Sequence, residues 1–294
     1  MTFTKAATKT KTLLNGVKIP ILGLGVYKAA KEETERIVYT ALKQGYRHVD
    51  SAEFYGNERE VGLAIAKFLK DTPTVSRGDI FYTTKVAPTC LGYEEAKMAI
   101  ARSLERVKEI DYVDLFLIHS PVPDAEKRLG AWKALQEYYE QGKIKAIGVS
   151  NYNIELLEEL LNWDGLKVTP VVNQFELNPW LVRKELCDYC VSKGIVIEAF
   201  SPLTRGFRMD DPALQQVVKK SHPDKTPAQI LIRWSLQMGF IPLPKSSNEQ
   251  RLLANLESLD FELSDEDMKI LTHENDYYVS NPAFDPISKK YLTF

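Results

Sequence analysis

His48-Val49-Asp50-Ser51-Ala52-Glu53-Phe54-Tyr55-Gly56-Asn57-Glu58 carries a short apolar run into a turn and then into a helical pattern. The run ends in Asp50, Gly56-Asn57 signals a turn, and Glu58 begins a stretch with Val61, Ile65, Phe68 and Leu69 on one face. Asp50 is therefore placed at the C-terminal end of a strand and Tyr55 in the loop beyond it. A carboxylate and a phenol on one loop make an acid–base pair only if a cation joins them.

The same unit, apolar run, loop, amphipathic helix, recurs on both sides of this stretch. The expected strands are Ile21–Gly25, Tyr46–Asp50, Ile80–Lys85, Tyr112–His119, Lys145–Ser150, Val171–Glu176, Ile195–Phe200 and Phe240–Pro244. The last is the weakest, because Pro242 and Pro244 are poor ladder residues. Leu13-Leu14 and Val17–Ile19 around Asn15-Gly16 read as a small hairpin with a type I′ turn. The tail Asn275–Phe294, rich in Pro and aromatics and without periodicity, reads as a loop.

Strand–helix alternation of this kind means a parallel sheet, and eight such units in 294 residues suit a closed barrel. The expected fold is α/β, a (β/α)8 TIM barrel with an N-terminal β-hairpin and a C-terminal loop extension, in one domain over 1–294. The rival, a doubly wound sheet, should show G-x-G-x-x-G after its first strand. Gly23-Leu24-Gly25 is only a fragment of that motif.

Composition narrows the function classes. Net charge is −2 with both signs mixed along the chain, which argues against nucleic acid and anionic membrane. No apolar run approaches the about 20 residues of a membrane span. The polar, Lys-rich Met1–Thr12 is not a secretory signal and reads as a frayed arm, which leaves a cytoplasmic location as the default; a monomer is expected. Three cysteines are too few for a disulfide framework. Cys187-x-x-Cys190 has no second ligand pair and reads as two small residues on one face of the helix Lys184–Lys193; no metal site is expected.

In such a barrel the C-terminal strand ends share one face, where chemistry collects. Those ends are Gly25 with Val26 and Tyr27, then Asp50, Lys85, His119, Ser150-Asn151, Gln174, Phe200-Ser201 and Lys245-Ser246. Three consecutive strands thus bring Asp50, Lys85 and His119 together under Tyr55. Singly, each has a structural alternative: Asp50 as a loop cap, Lys85 as its ion-pair partner, His119 as a core histidine. His48 reads as structural. Together they suit a site that polarises a carbonyl and hands its oxygen a proton. A Lys85 ammonium beside Tyr55 is expected to lower the phenol's pKa from its usual value near ~10. Neutral His119 would orient the carbonyl. With no strong nucleophile present, the electrons point to a hydride cofactor.

The signal for that cofactor is Lys245-Ser246-Ser247-Asn248, which opens a helix carrying Arg251 and Asn255. Hydroxyls and free N–H groups at a helix start bind anions, and the two cations suit a ribose 2′-phosphate, hence NADPH over NADH. The alternative is a capped surface helix with unrelated charges. Phe200 can stack on a nicotinamide ring.

Asp50-Ser51-Ala52-Glu53-Phe54-Tyr55-Gly56-Asn57-Glu58, Leu117-Ile118-His119-Ser120-Pro121, Gly148-Val149-Ser150-Asn151, Asn173-Gln174 and Pro244-Lys245-Ser246 resemble, in order, the aldo-keto reductase superfamily, and more closely its small fungal NADPH-dependent members. The resemblance implies reduction of aldehydes and ketones by a tetrad of Asp50, Tyr55, Lys85 and His119, with Tyr55 as proton donor. It implies an extended NADP(H), its carboxamide held by Ser150, Asn151 and Gln174. Ser201, Leu203 and Arg205 would lie near the pyrophosphate, and Lys245, Ser246, Asn248, Arg251 and Asn255 at the adenosine end. Gly25, Val26, Asp50, Phe200 and Ser247 complete the expected cofactor contacts; Tyr27, Tyr55, His119 and Trp180 are the expected contacts of a small carbonyl substrate.

Departures from the family pattern bear on the pocket. Phe200 replaces a stacking Tyr, Ala254 an acidic residue, Tyr27 a Trp, and Ala87 and Ser120 bulky aromatics. A pocket wider on one side is expected, walled by Trp180, Tyr277, Tyr278 and Phe284. The competing functions are a non-catalytic NADPH-binding regulatory subunit of the same fold, and a Schiff-base aldolase using Lys85. The latter conflicts with an Asp50 that keeps Lys85 protonated.

Overall fold

The computed structural model describes residues 9–282 and 285–289. Eight parallel strands follow one another in chain order around a sheet: β3 (Leu24–Gly25), β4 (His48–Asp50), β5 (Phe81–Val86), β6 (Leu115–Ile118), β7 (Ile147–Ser150), β8 (Val172–Glu176), β9 (Val196–Phe200) and β10 (Ile241–Pro242). The helices between them are α1 (Lys31–Gln44), α2 (Glu58–Asp71), α3 (Tyr93–Arg106), α4 (Ala125–Glu140), α5 (Ile154–Leu161), α6 (Lys184–Ser192), α7 (Pro212–Ser221) and α8 (Pro227–Gln237). α9 (Glu249–Leu256) and α10 (Asp265–Leu271) follow β10. Each expected strand is present and starts a little later in the chain than its apolar run.

The seam between β10 and β3 is closed by Gly23 N donating to Pro242 O and Gly25 N to Pro244 O, both at 3.1 Å. This explains why two prolines are tolerated in the last strand. In a parallel strand, alternate residues face the same neighbour, and Pro242 and Pro244 both face β3, where they serve only as acceptors. Leu243 between them faces the other way and donates its N–H to Ala199 O of β9 at 3.0 Å.

The N-terminal hairpin is present but framed differently. Its strands are β1 (Thr10–Thr12) and β2 (Lys18–Pro20), so Thr10–Thr12 is paired and not part of a frayed arm; Met1–Thr8 lie outside the described residues. The turn is not type I′, which needs positive φ at both central residues. Only Gly16 is left-handed, at φ 83°, and a longer loop closes with Leu13 N donating to Val17 O. The hairpin plugs the N-terminal end of the barrel: Leu13 and Ile19 pack on Phe81, Leu115, Leu117, Val172 and Ile241 inside it. Gly148 is required within this interior, because a Cβ there would stand 2.6 Å from Val172 O.

The larger core lies between sheet and helices, centred on Trp132, Trp234, Phe68, Phe116 and Phe175. Cys187 and Cys190 belong to it; burial raises both thiols, Cys190 to about 11, and Cys187 donates to Val182 O. They pack as the helix face expected of them.

The tail departs from a plain loop. Pro286–Lys289 forms one helical turn, α11. Asp276 accepts the N–H groups of Val182 and Arg183, Ser280 N donates to Glu176 Oε1 at 2.8 Å, and Arg183 pairs with Asp285 at 2.8 Å. The tail is thereby fastened to the loop after β8. Phe284 lies outside the described residues. Among the described residues no helix is long and apolar enough to cross a membrane.

Candidate active site

The Asp50–Glu58 stretch folds around its own polar groups. A 3-10 turn, Glu53–Tyr55, ends at Gly56, and Tyr55 N donates to Ala52 O. Ser51 Oγ donates to Asn57 Oδ1, and Asn57 Nδ2 to Val26 O, at 2.9 and 3.1 Å. Glu58, buried at the start of α2, accepts from Thr84, Ser103 and Arg106. Glu53 is clamped by Arg102 at 2.8 Å. These bonds hold Tyr55 over the ends of β4 and β5.

Below it, Lys85 is 0% exposed. Its ammonium donates to Asp50 Oδ1 and Oδ2, both at 2.8 Å, and to Ser51 O at 2.7 Å, so all three donors are taken. The Lys85 nitrogen lies 5.1 Å from the centroid of the Tyr55 ring. His119, at the end of β6, stands edge-on to Tyr55 at 5.5 Å between centroids, and the Tyr27 ring is tilted against Tyr55 at 4.9 Å. Phe54, 60% exposed, lies 6.2 Å from His119. Asp50, Tyr55, Lys85 and His119 are thus gathered at one strand-end face.

The electrostatics correct one expectation. The half-buried Tyr55 phenol is raised well above 10, by loss of water first, then by Asp50 and Tyr27. Burial outweighs any pull from the Lys85 ammonium, two of whose hydrogen bonds go to Asp50. His119 is held well below 6.5 by burial and by Lys85, and is neutral; its Nδ1 has no partner among the described residues.

A second buried acid joins the site, one that the sequence does not single out. Gln174 Nε2 donates to Asp50 Oδ2 at 2.9 Å and to Glu198 Oε2 at 2.8 Å. Glu198 is an acidic residue inside the apolar run Val196-Ile197-Glu198-Ala199-Phe200, the same pattern as Asp114 in the fourth run, so its signal is present but ambiguous. His48, expected to be structural, stands beside it, its Nε2 3.5 Å from Glu198 Oε1 and 3.1 Å from Thr83 Oγ1.

The sequence profile described as Aldo/keto reductase family matches residues 21–276. The chain belongs to the aldo/keto reductase family. An uncharacterized oxidoreductase of Saccharomyces cerevisiae is 50% identical over 266 residues, covering 90% of this chain and 94% of that protein. A glyoxal reductase of Bacillus subtilis is 44% identical over 260 residues, covering 88% of this chain and 90% of its own. The crystal structure of an aldo/keto reductase from Brucella melitensis matches with a TM-score of 0.82 at 39% identity, covering 90% of this chain and 98% of that one. As an aldo/keto reductase the protein is an oxidoreductase of carbonyl groups, in a family that works with a nicotinamide cofactor.

The residues of this aldo/keto reductase fit such a cofactor. At the end of β7, Ser150 Oγ donates to Gln174 O, and Asn151 Nδ2 donates to His119 O and to Ser150 Oγ. Among the described residues nothing donates to Asn151 Oδ1 or Gln174 Oε1, which leaves two acceptors suited to a carboxamide NH2. The backbone gives a second indication. Of the non-glycine residues with positive φ, Lys28, Asn151, Arg183, Ser201, Thr204 and Arg205 all follow the C-terminal ends of strands. Such strain gathers where ligands are held. Ser, Thr, Lys and Arg carry no left-handed preference, so only Asn151 is foreseeable from its residue type.

The remaining expected contacts fall as follows. Gly25 N and Val26 N donate to Pro244 O and Asp50 O. Phe200 is half-buried at the end of β9; Ser201 and Leu203 follow it in the loop to α7, and the Arg205 guanidinium sits 5.7 Å over Phe207. Lys245 donates to Ser247 Oγ at 2.7 Å, Ser246 Oγ accepts from Asn248 N, and Asn248 caps α9 by accepting from Arg251 N. Lys245 and Arg251 are exposed beside this cap, while Asn255 is buried. Trp180 is 1% exposed, stacked on His273 and 5.4 Å from the Arg208 guanidinium, which also faces Tyr277 and Tyr278. Trp180 therefore stands behind the tail. Ala87 and Ser120 are both buried at the ends of their strands.

Proposed function

We propose that the protein reduces aldehydes and ketones to alcohols with NADPH, Tyr55 acting as general acid. The observation that carries this reading is the Lys85 ammonium, saturated by Asp50 and Ser51 O beneath a protonated phenol and beside a neutral imidazole. A general acid must hold its proton before the reaction, and Tyr55 does so throughout the neutral range. NADPH, when bound, supplies the hydride to the carbonyl carbon. As negative charge grows on the carbonyl oxygen, Tyr55 transfers its proton there, and His119 orients that oxygen as a neutral hydrogen-bonding partner. Lys85, fixed by Asp50, stabilises the charge that then falls on the Tyr55 oxygen.

Ser150, Asn151 and Gln174 would hold the carboxamide, Phe200 the ring face, Ser201, Leu203 and Arg205 the pyrophosphate. Lys245, Ser246, Ser247, Asn248, Arg251 and Asn255 would take the adenosine end. Following the loss of NADPH absorbance with a panel of simple aldehydes, ketones and glyoxal tests the reading; a glyoxal reductase among its relatives makes dicarbonyls a first choice. No oxidation with any member of the panel would overturn it.

The 2′-phosphate assignment has its own test. Charge removal by Lys245→Ala with Arg251→Ala should raise the KM for NADPH about 10–100-fold, since the two exposed cations, screened by solvent, together contribute about 1.5–3 kcal/mol. The KM for NADH should change about twofold or less. Equal weakening of both cofactors would mean that the two cations do not read the 2′-phosphate.

A further inference from the structure

Glu198 has a place in the barrel that the reaction outlined above does not use. It is 0% exposed, on β9, and points into the interior, where Gln174 bridges it to Asp50. Both contacts come from the same amide nitrogen, so Gln174 cannot turn without losing both. This fixes its oxygen as the group left for a cofactor carboxamide. The neighbouring cation, Lys85, directs its three donors to Asp50 and Ser51 O and gives none to Glu198.

The groups facing Glu198 offer it less compensating charge than its burial requires. From β4 come Asp50, which repels, and His48, kept neutral with its pKa lowered to about 3 by burial and Lys85. From β5 come the hydroxyl of Thr83 and Lys85, whose charge favours the ionised carboxyl but is outweighed by burial and Asp50, its three hydrogen bonds going to Asp50 and Ser51 O. β8 presents Gln174, and β10 presents Ile241 and Pro242, which do not titrate. Ionised Glu198 would place two carboxylates on one amide in a dry core. Burial and Asp50 accordingly push its carboxyl up from 4.5 to about 8.

We propose that Glu198 is a positioning residue: held neutral inside the barrel, it fixes Gln174 and, through Gln174, the Asp50–Lys85 pair, and its ionisation disorders both. This rests on the reductase reading for the meaning of Gln174 and Asp50. In the neutral form, one carboxyl oxygen accepts from Gln174 and the other holds the proton next to His48 Nε2. On ionisation the second charge repels Asp50 and competes for the single amide, so the carboxamide acceptor and the ammonium below Tyr55 lose their common anchor.

The experiment is a pH series on the wild type and Glu198→Gln, which keeps the neutral shape at every pH. In the wild type, kcat/KM for carbonyl reduction and the affinity for NADPH, read by fluorescence, should both fall as pH rises through about 8. In Glu198→Gln both profiles should stay flat through that region. An alkaline limb unchanged by the substitution overturns the proposal, since a residue that only fills space would leave the profile alone. A wild type that binds NADPH with this pH dependence yet reduces nothing defeats the reductase reading and leaves the positioning role standing. NADPH affinity that is flat in both proteins defeats the positioning role. Should Glu198→Gln not fold, carboxyl 13C NMR of glutamate-labelled wild type decides: one glutamate must remain protonated at neutral pH and ionise near about 8, and its absence overturns the proposal.

Discussion

Tyr55→Phe is expected to lower kcat for carbonyl reduction about 10²–10⁴-fold, the range ascribed to a positioned general acid. At a factor of ten per ~1.4 kcal/mol this is about 3–5 kcal/mol of lost transition-state stabilisation. The substitution removes one oxygen and keeps the ring. The contacts of that ring with Tyr27, His119 and the Lys85 ammonium therefore persist, and so does the packing that seats it. Binding of NADPH should be unchanged within about twofold, because no expected cofactor contact is lost. Rapid-quench and steady-state rates, read beside a fluorescence titration with NADPH, separate the two effects. Turnover near the wild-type rate would remove Tyr55 from the role. The pH dependence adds a second check. Since burial and Asp50 hold the phenol protonated well above 10, the Tyr55 proton itself should not titrate in the neutral range. An alkaline limb that survives in Glu198→Gln and moves with substitutions at Tyr55 would show instead that the phenol is the acidified group.

How far the sequence reaches is best seen at Lys85. Its place at the end of a strand next to the one ending in Asp50 follows from alternation and a closed barrel, and the structure puts the two side by side. Its effect on Tyr55 does not follow, because that depends on where three N–H bonds go. Ser51 O takes the third, and a backbone carbonyl leaves no mark in a sequence. The eight strands are legible because each apolar run lies between turn residues and a helical pattern. Their N-terminal limits are not: the apolar Ile21 and Tyr112 give their N–H groups to Lys9 O and Ile110 O and lie outside the parallel ladder. Glu198 and Asp114 look alike in sequence, one acid in an apolar strand. Asp114 meets Arg77 at 2.7 Å at the barrel's edge, whereas Glu198 receives its N–H from an uncharged amide, and only their faces on the sheet separate them. The left-handed backbone at Ser201, Thr204 and Arg205 is imposed by the loop after β9, not by the residues' own preferences. Asn15-Gly16 misleads in a smaller way: the pair is a strong two-residue turn signal, but here it sits within a longer loop whose strands begin further out on each side.

Lys85→Met should both abolish reduction and destabilise the fold, and the second effect is the more diagnostic of how the site is built. Asp50 is 3% exposed and loses, in this variant, the ammonium that bonds to both of its oxygens. What remains to it is one N–H from Gln174, in a core that already holds Glu198. Removing one partner of a buried ion pair costs about 3–5 kcal/mol, because the other charge is left without compensation. Against a total stability of roughly 5–15 kcal/mol, this should lower the melting temperature by roughly 6–20 °C. Asp50→Asn is milder: Lys85 keeps Ser51 O and can keep one bond to the amide oxygen that replaces the carboxylate. Lys85→Met with Asp50→Asn should therefore be more stable than Lys85→Met alone, with a coupling of about 1–3 kcal/mol in a double-mutant cycle. All three variants should lack carbonyl reduction, so stability and activity part company in the double variant. Additive losses would mean that the two side chains do not act as a pair, and the phenol above them would then rest on a base other than the one described.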